Sequence, residues 1–173
     1  MNWLAWAATA LGATAFLVVL AFTGGRSGPG LDPFVPKGLL TMPVEDVQEI
    51  DVAAPRGHCH FVRTQDGWRV TQGIAAAGFE ARLDSALRLL RNSGPDRVLT
   101  GAEVSQAGAE QFGLAPPRLR VVVSGPDGSV FAISFGSTNP IGLSHYAKLE
   151  GSSEIALLPS FVAEEWERTG GPP

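Results

Sequence analysis

The chain has 173 residues, with 13 Lys and Arg against 17 Asp and Glu, a formal net charge of −4 and a single cysteine, Cys59. Mixed signs with an acidic balance exclude the basic stripe that a nucleic-acid binder needs, and one cysteine excludes an intramolecular disulfide or a cysteine-based zinc site. Beyond the first apolar run about 150 residues remain, enough for one domain with its own core.

Trp3 to Phe22 are twenty consecutive residues without a charge, and the first charge is Arg26. At about 1.5 Å per residue this length covers roughly the 30 Å core of a bilayer, so residues 1–22 are predicted to form a transmembrane helix. A cleaved signal peptide would need a basic start, a shorter apolar core and a small-residue cleavage site. Here only Met1 and Asn2 precede the run, and Thr23-Gly24-Gly25 is a poor cleavage site. Ala5, Ala8, Thr9, Gly12 and Ala13 fall at i, i+3, i+4, i+7 and i+8, a stripe of small side chains that would let another helix approach closely. Trp3 and Trp6 sit where indole rings anchor at the headgroup level. The few basic residues near the span, Arg26 and Lys37, leave its orientation open.

Residues 23–43 hold five glycines and four prolines, which predicts a linker with polyproline-like stretches. Its apolar residues Phe34, Val35, Leu39, Leu40 and Met42 imply that part of it lies along the domain or a partner. The domain is predicted over 44–168, with a tail at 169–173. Val47 to Val52 alternates as a half-buried strand; His58 to Thr64 and Gly67 to Thr71 form a hairpin through Gln65-Asp66-Gly67. Phe79 to Ser93 is an amphipathic helix with Phe79, Leu83, Ala86, Leu87 and Leu90 on one face, stopped by Gly94-Pro95.

In the second half Leu119 to Ser124 and Val130 to Phe135 flank the turn Gly125-Pro126-Asp127-Gly128. Ser144 to Leu149 and Ile155 to Leu158 flank Glu150 to Ser153, and Ser160 is placed to cap a last short helix with Phe161, Val162 and Trp166 on its apolar side. The expected fold is α+β: a strand-rich domain of antiparallel hairpins with two amphipathic helices, possibly a two-unit repeat, behind the N-terminal transmembrane helix.

The residues that follow carry a resemblance. Val47, Ile50 and Val52 are followed by Asp66-Gly67-Trp68-Arg69-Val70 and an amphipathic helix. Then come Gln111-Phe112-Gly113-Leu114, Pro116-Pro117, Ile133-Ser134-Phe135-Gly136, His145-Tyr146-Ala147-Lys148-Leu149 and Ile155-Ala156-Leu157-Leu158. Over roughly residues 40 to 168 this order resembles the bacterial membrane-anchored family called domain of unknown function 4340. The resemblance implies one N-terminal span in the bacterial inner membrane and a domain on the extracytoplasmic, periplasmic side. It brings no catalytic residues.

His58-Cys59-His60 is the most metal-like element, because i and i+2 on a strand project from one face. A third ligand would have to come from His145 or a distant carboxylate, so no metal site is expected. Gly136 to Gly142 lacks the Lys-Ser/Thr and the following helix of a phosphate loop. Arg82, Arg88 and Arg91 are expected on a solvated helix face with Asp84 and Arg88 paired, and Glu164, Glu165 and Glu167 on another. Trp68 and Trp166 are expected in the core. With no catalytic motif and no cofactor, the expectation is a non-enzymatic, single-span accessory or assembly subunit of a larger membrane complex, whose partners are the lipid bilayer and integral-membrane proteins. The alternative is a tethered binding module for a small molecule or an envelope polymer.

Overall fold

Side-chain alternation sets the two faces of the sheet. The computed structural model describes residues 35–55 and 57–169; the predicted span with its stripe Ala5, Ala8, Thr9, Gly12 and Ala13, its anchors Trp3 and Trp6, and the first part of the linker lie outside them. The described chain forms strands β1 (Glu49–Ala54), β2 (Gly57–Thr64), β3 (Gly67–Gln72), β4 (Arg97–Leu99), β5 (Leu119–Ser124), β6 (Val130–Thr138), β7 (Ser144–Leu149) and β8 (Ile155–Pro159). Its α-helices are α1 (Phe79–Asn92), α2 (Gly101–Ala107) and α3 (Ser160–Glu167). Ile50 and Val52 of β1, Cys59 and Phe61 of β2, Val121 and Val123 of β5, and Ile133 and Phe135 of β6 are buried on one face. Glu49, Asp51, His58 and His60 alternate with them.

All strand pairings are antiparallel, and they make one eight-stranded sheet in the order β3-β2-β1-β5-β6-β7-β8-β4. The buried face is covered by α1 and α3, which place Leu83, Ala86, Leu87 and Leu90, and Val162, Ala163 and Trp166, against it. Each buried Leu contributes about 1.5–3 kcal/mol through apolar area removed from water. On the opposite face only one end is covered: Val104 of α2 and Phe112 pack with Ile155, Leu99 and Tyr146 into a second, smaller core. Phe112 meets Tyr146 edge-on, with ring centroids 4.9 Å apart.

The expected fold needs correction on two points. The strands do not divide into two units each closed by a helix, because β1 pairs directly with β5 and fuses both halves into one sheet. There are three α-helices rather than two: α2 is short and buries only Val104, too little for a periodic signal, and is held by a capping box in which Thr100 and Glu103 satisfy each other's free groups. The predicted transmembrane helix at 1–22 lies outside the described residues, among which no helix is long and apolar enough to cross a membrane. The last helix also differs locally. Ser160 makes no side-chain cap and donates instead to the Gly142 carbonyl at 3.3 Å, while Phe161 turns outward.

The C-terminal part of the linker is laid along α1. The Gly38 amide donates to the Arg91 carbonyl at 2.8 Å, the Leu40 amide to the Leu90 carbonyl at 3.3 Å, and Leu40 is buried. Arg91 closes the contact by donating to the carbonyls of Thr41 and Met42 at 3.0 and 2.7 Å. A Cβ on Gly38 would fall 2.2 Å from the Leu90 carbonyl oxygen, so glycine is required here by close backbone approach. At the other end Thr169, predicted to start the tail, is buried and accepts from the Ala76 amide at 3.4 Å.

Candidate functional site

Among the described residues no helix covers the second face of strands β3, β2, β1 and β5, and most side chains on that face are polar. Register puts Asp51 opposite His60 and Ala53 opposite His58, so Asp51 stands between the two imidazoles. Its Oδ1 contacts His58 Nε2, and its Oδ2 lies 3.8 Å from His60 Nε2, which also faces Glu49 Oε2 at 3.7 Å. Thr71 Oγ1 donates to the His60 carbonyl at 3.2 Å and lies 2.6 Å from His60 Nδ1. The hydroxyl thus engages both the backbone and the ring of His60, and leaves the Nε2 edge turned to the carboxylates.

The imidazole pair expected from His58 and His60 is thus present on one face, with Cys59 buried on the other, its Sγ donating to the Ile74 carbonyl at 3.1 Å. His145 cannot join them. It is buried on the strand face that carries Leu158, with Nδ1 3.2 Å from the Gly136 carbonyl oxygen. Among the described residues no set of three His, Cys, Asp or Glu side chains is arranged to hold a metal ion. The cluster is an exposed ion-pair network, worth little to stability in water.

Further along the same face, the β7–β8 turn raises one wall of a groove of about 510 Å³ lined by Arg120, Ser134, Lys148, Glu150, Ser152 and Ser153. Arg120 is tied to Glu150 at 2.8 Å. Beside that turn, where Gly101 approaches Ser153, Arg97, the Thr100 amide and the Thr100 hydroxyl converge on Glu103 at 2.6, 2.8 and 3.0 Å. The Thr100 backbone and side-chain hydrogen bonds, then Arg97, hold the Glu103 carboxyl below its ordinary value.

Other singled-out residues have structural duties. Gly136 lies under the Phe112 carbonyl, where a Cβ would fall 2.0 Å from its oxygen, and the turn that follows is closed by Asn139 Oδ1 accepting from the amides of Leu143 and Ser144 at 3.0 and 3.2 Å. Trp68 is buried, donates to Asp84 at 3.1 Å and lies under the Arg63 guanidinium at 4.3 Å. Asp84 therefore serves Trp68, and Arg63 at 3.6 Å, in place of the expected partner Arg88. The acidic run of α3 is paired rather than merely solvated: Arg118 holds both oxygens of Glu167 at 2.6 and 3.0 Å, and Arg168 reaches Glu164 and Glu165, each at 3.3 Å.

One feature escapes the sequence. Ile141 and Leu143 in the β6–β7 turn are 73% and 68% exposed, and Phe161 in the first turn of α3 is 50% exposed. They lie together because the Ser160 amide donates to the Leu143 carbonyl at 2.9 Å. The turn's alternation of Pro, Gly and apolar residues reads as an ordinary loop; only the adjoining Phe161 hints at a patch.

In comparison with known proteins the chain matches no family model, no curated protein and no solved structure.

Proposed function

We propose that the chain is a non-enzymatic, single-span accessory or assembly subunit of a larger membrane protein complex, of the transport, respiratory, photosynthetic or envelope kind. The observation that carries this reading is the uncharged run Trp3 to Phe22, joined by a short Gly/Pro segment to a domain in which, among the described residues, no helix covers one face of four strands. An apolar run of that length partitions into lipid, its stripe of Ala5, Ala8, Thr9, Gly12 and Ala13 suits helix packing against an integral-membrane partner, and that sheet face offers alternating charges to a second one. The resemblance to domain of unknown function 4340 supports a domain on the periplasmic side of the inner membrane. Purification in gentle detergent with mass spectrometry of co-purifying proteins tests the reading. Stoichiometric recovery with an integral-membrane complex, lost on Gly12→Leu, is expected; a monodisperse monomer without partners refutes it.

The groove beside Arg120 and Lys148 favours a second reading, a tethered binding module for a small molecule or an envelope polymer carrying anionic groups. Trp68 and Tyr146, the aromatic residues considered as pocket walls, are engaged in packing instead. Calorimetric titration with anionic cell-wall fragments distinguishes the two: saturable heat that disappears in Lys148→Ala supports the module.

A further inference from the structure

We propose that the patch of Ile141, Leu143 and Phe161 is a lipid-docking tip that rests the domain on the bilayer surface; this builds on the membrane-anchored reading above.

The three side chains of the patch are apolar, and no charged residue occurs in 138–144 or 155–163. The nearest charges along α3, Glu164 and Glu165 one turn beyond Phe161, are paired with Arg168. A cluster of this kind is comparable to the largest apolar patch of a typical soluble monomer, which is often functional. Its size selects the partner: three side chains at these exposures present on the order of 350 Å² of surface, less than half of the ~800 Å² that one side of a stable protein interface buries. An apolar tip of this size is sufficient for shallow insertion at a membrane interface by a domain already held there, where the anchor removes most of the cost of association.

The path of the chain also points to lipid. Lys37, just inside the domain, lies against Gly94, where a Cβ would fall 3.2 Å from the Lys37 carbonyl oxygen. Two residues on, Asp96 accepts from the Ser144 hydroxyl at 2.7 Å, and Ser144 follows Leu143. The chain therefore joins the domain close to the tip. The thirteen residues 23–35 between the predicted span and this point can reach at most about 40 Å at about 3.1 Å per residue, a length that sets an upper limit on how far an anchored domain could stand from the bilayer.

The test uses the full chain in phosphatidylcholine vesicles containing brominated phosphatidylcholine. An environment-sensitive fluorophore is placed on Pro140→Cys, beside the intact patch, or on Asp127→Cys in the β5–β6 turn at the other end of the strands; Cys59 is buried and stays unlabelled. The proposal expects a blue-shifted, lipid-quenched probe at 140 and an unquenched one at 127. Ile141→Ser with Leu143→Ser should lower the docked population at least tenfold, since even shallow insertion buries part of both apolar side chains, with the melting temperature unchanged. Vesicle flotation keeps the two readings apart. A chain that floats while both probes stay equally unquenched overturns the docking tip and leaves the anchor standing. A chain that does not float overturns both.

Discussion

Gly38→Ala isolates the contact that fixes where the domain begins. The new Cβ would lie 2.2 Å from the Leu90 carbonyl oxygen and 2.4 Å from the Arg91 carbonyl carbon, both main-chain atoms of α1 that cannot swing aside. Pushing the segment outward by about an ångström costs about 1–3 kcal/mol of overpacking. Full release would instead forfeit the burial of Leu40, about 1.5–3 kcal/mol, together with the two backbone bonds to Leu90 and Arg91, about 1 kcal/mol each. The smaller response sets the result, so we expect a loss of about 1–3 kcal/mol, or roughly 3–15 °C in melting temperature for a domain of this size. Gly57→Ala is the control, since nothing lies within 4 Å of its Cβ and the same methyl should be neutral or slightly stabilising. Thermal unfolding of the full chain in detergent, followed by circular dichroism, reads both. Equal melting temperatures for the two variants would refute the docked linker.

Gly136→Ala should cost about 3 kcal/mol or more, because its Cβ meets the main chain of Phe112 in the middle of the sheet; denaturant titration measures it. The cap of α2 should weaken in acid. Glu103 has a folded value lowered from 4.5, so its contribution is fully present above 4.5 and is lost as pH falls through the lowered value. Amide-exchange protection factors of α2 should fall with pH in the wild type and stay flat in Glu103→Gln. Asp51→Asn should change stability by less than about 1 kcal/mol, as for exposed pairs generally; a larger shift in the urea midpoint would show that the imidazole cluster has a heavier role.

The hairpins were legible because their turns carry the chemistry that turns require. Asp66-Gly67 and Gly125-Pro126-Asp127-Gly128 sit between alternating runs, and Gly67 and Gly128 both adopt positive φ. Helix α1 was legible from its apolar stripe, and Cys59 from the strand period. The pairing of β1 with β5 and of β4 with β8 was not, since hydrophobic period says which face a strand buries but not its neighbour. Helix α2 was missed, although Thr100-Gly101-Ala102-Glu103 carries the capping pattern that could have found it, a signal independent of helix length. Gly38 read as a breaker in a linker, whereas close packing is what demands it. For the sites, the sequence placed His58 and His60 on one face, but Asp51 as the group between them depended on strand register. Phe161 was assigned to the core by helical spacing alone. Its exposure depends on how Ser160 ties to the β6–β7 turn, a contact between distant segments.

The position of β4 at the edge of the sheet has a consequence for biosynthesis. Strands β3 and β4 bracket α1 in sequence yet form opposite borders, about 34 Å apart at roughly 4.8 Å per strand. Residues 97–99 leave the ribosome more than fifty residues before Ile155–Pro159, the only strand they pair with. At about 5–20 residues per second they wait roughly 3–10 s for that partner. Because β8 leads directly into Ser160 and Phe161, the same late stretch of chain closes the sheet and completes the apolar tip. A polypeptide released before that point has neither a finished border nor a surface with which to meet the membrane.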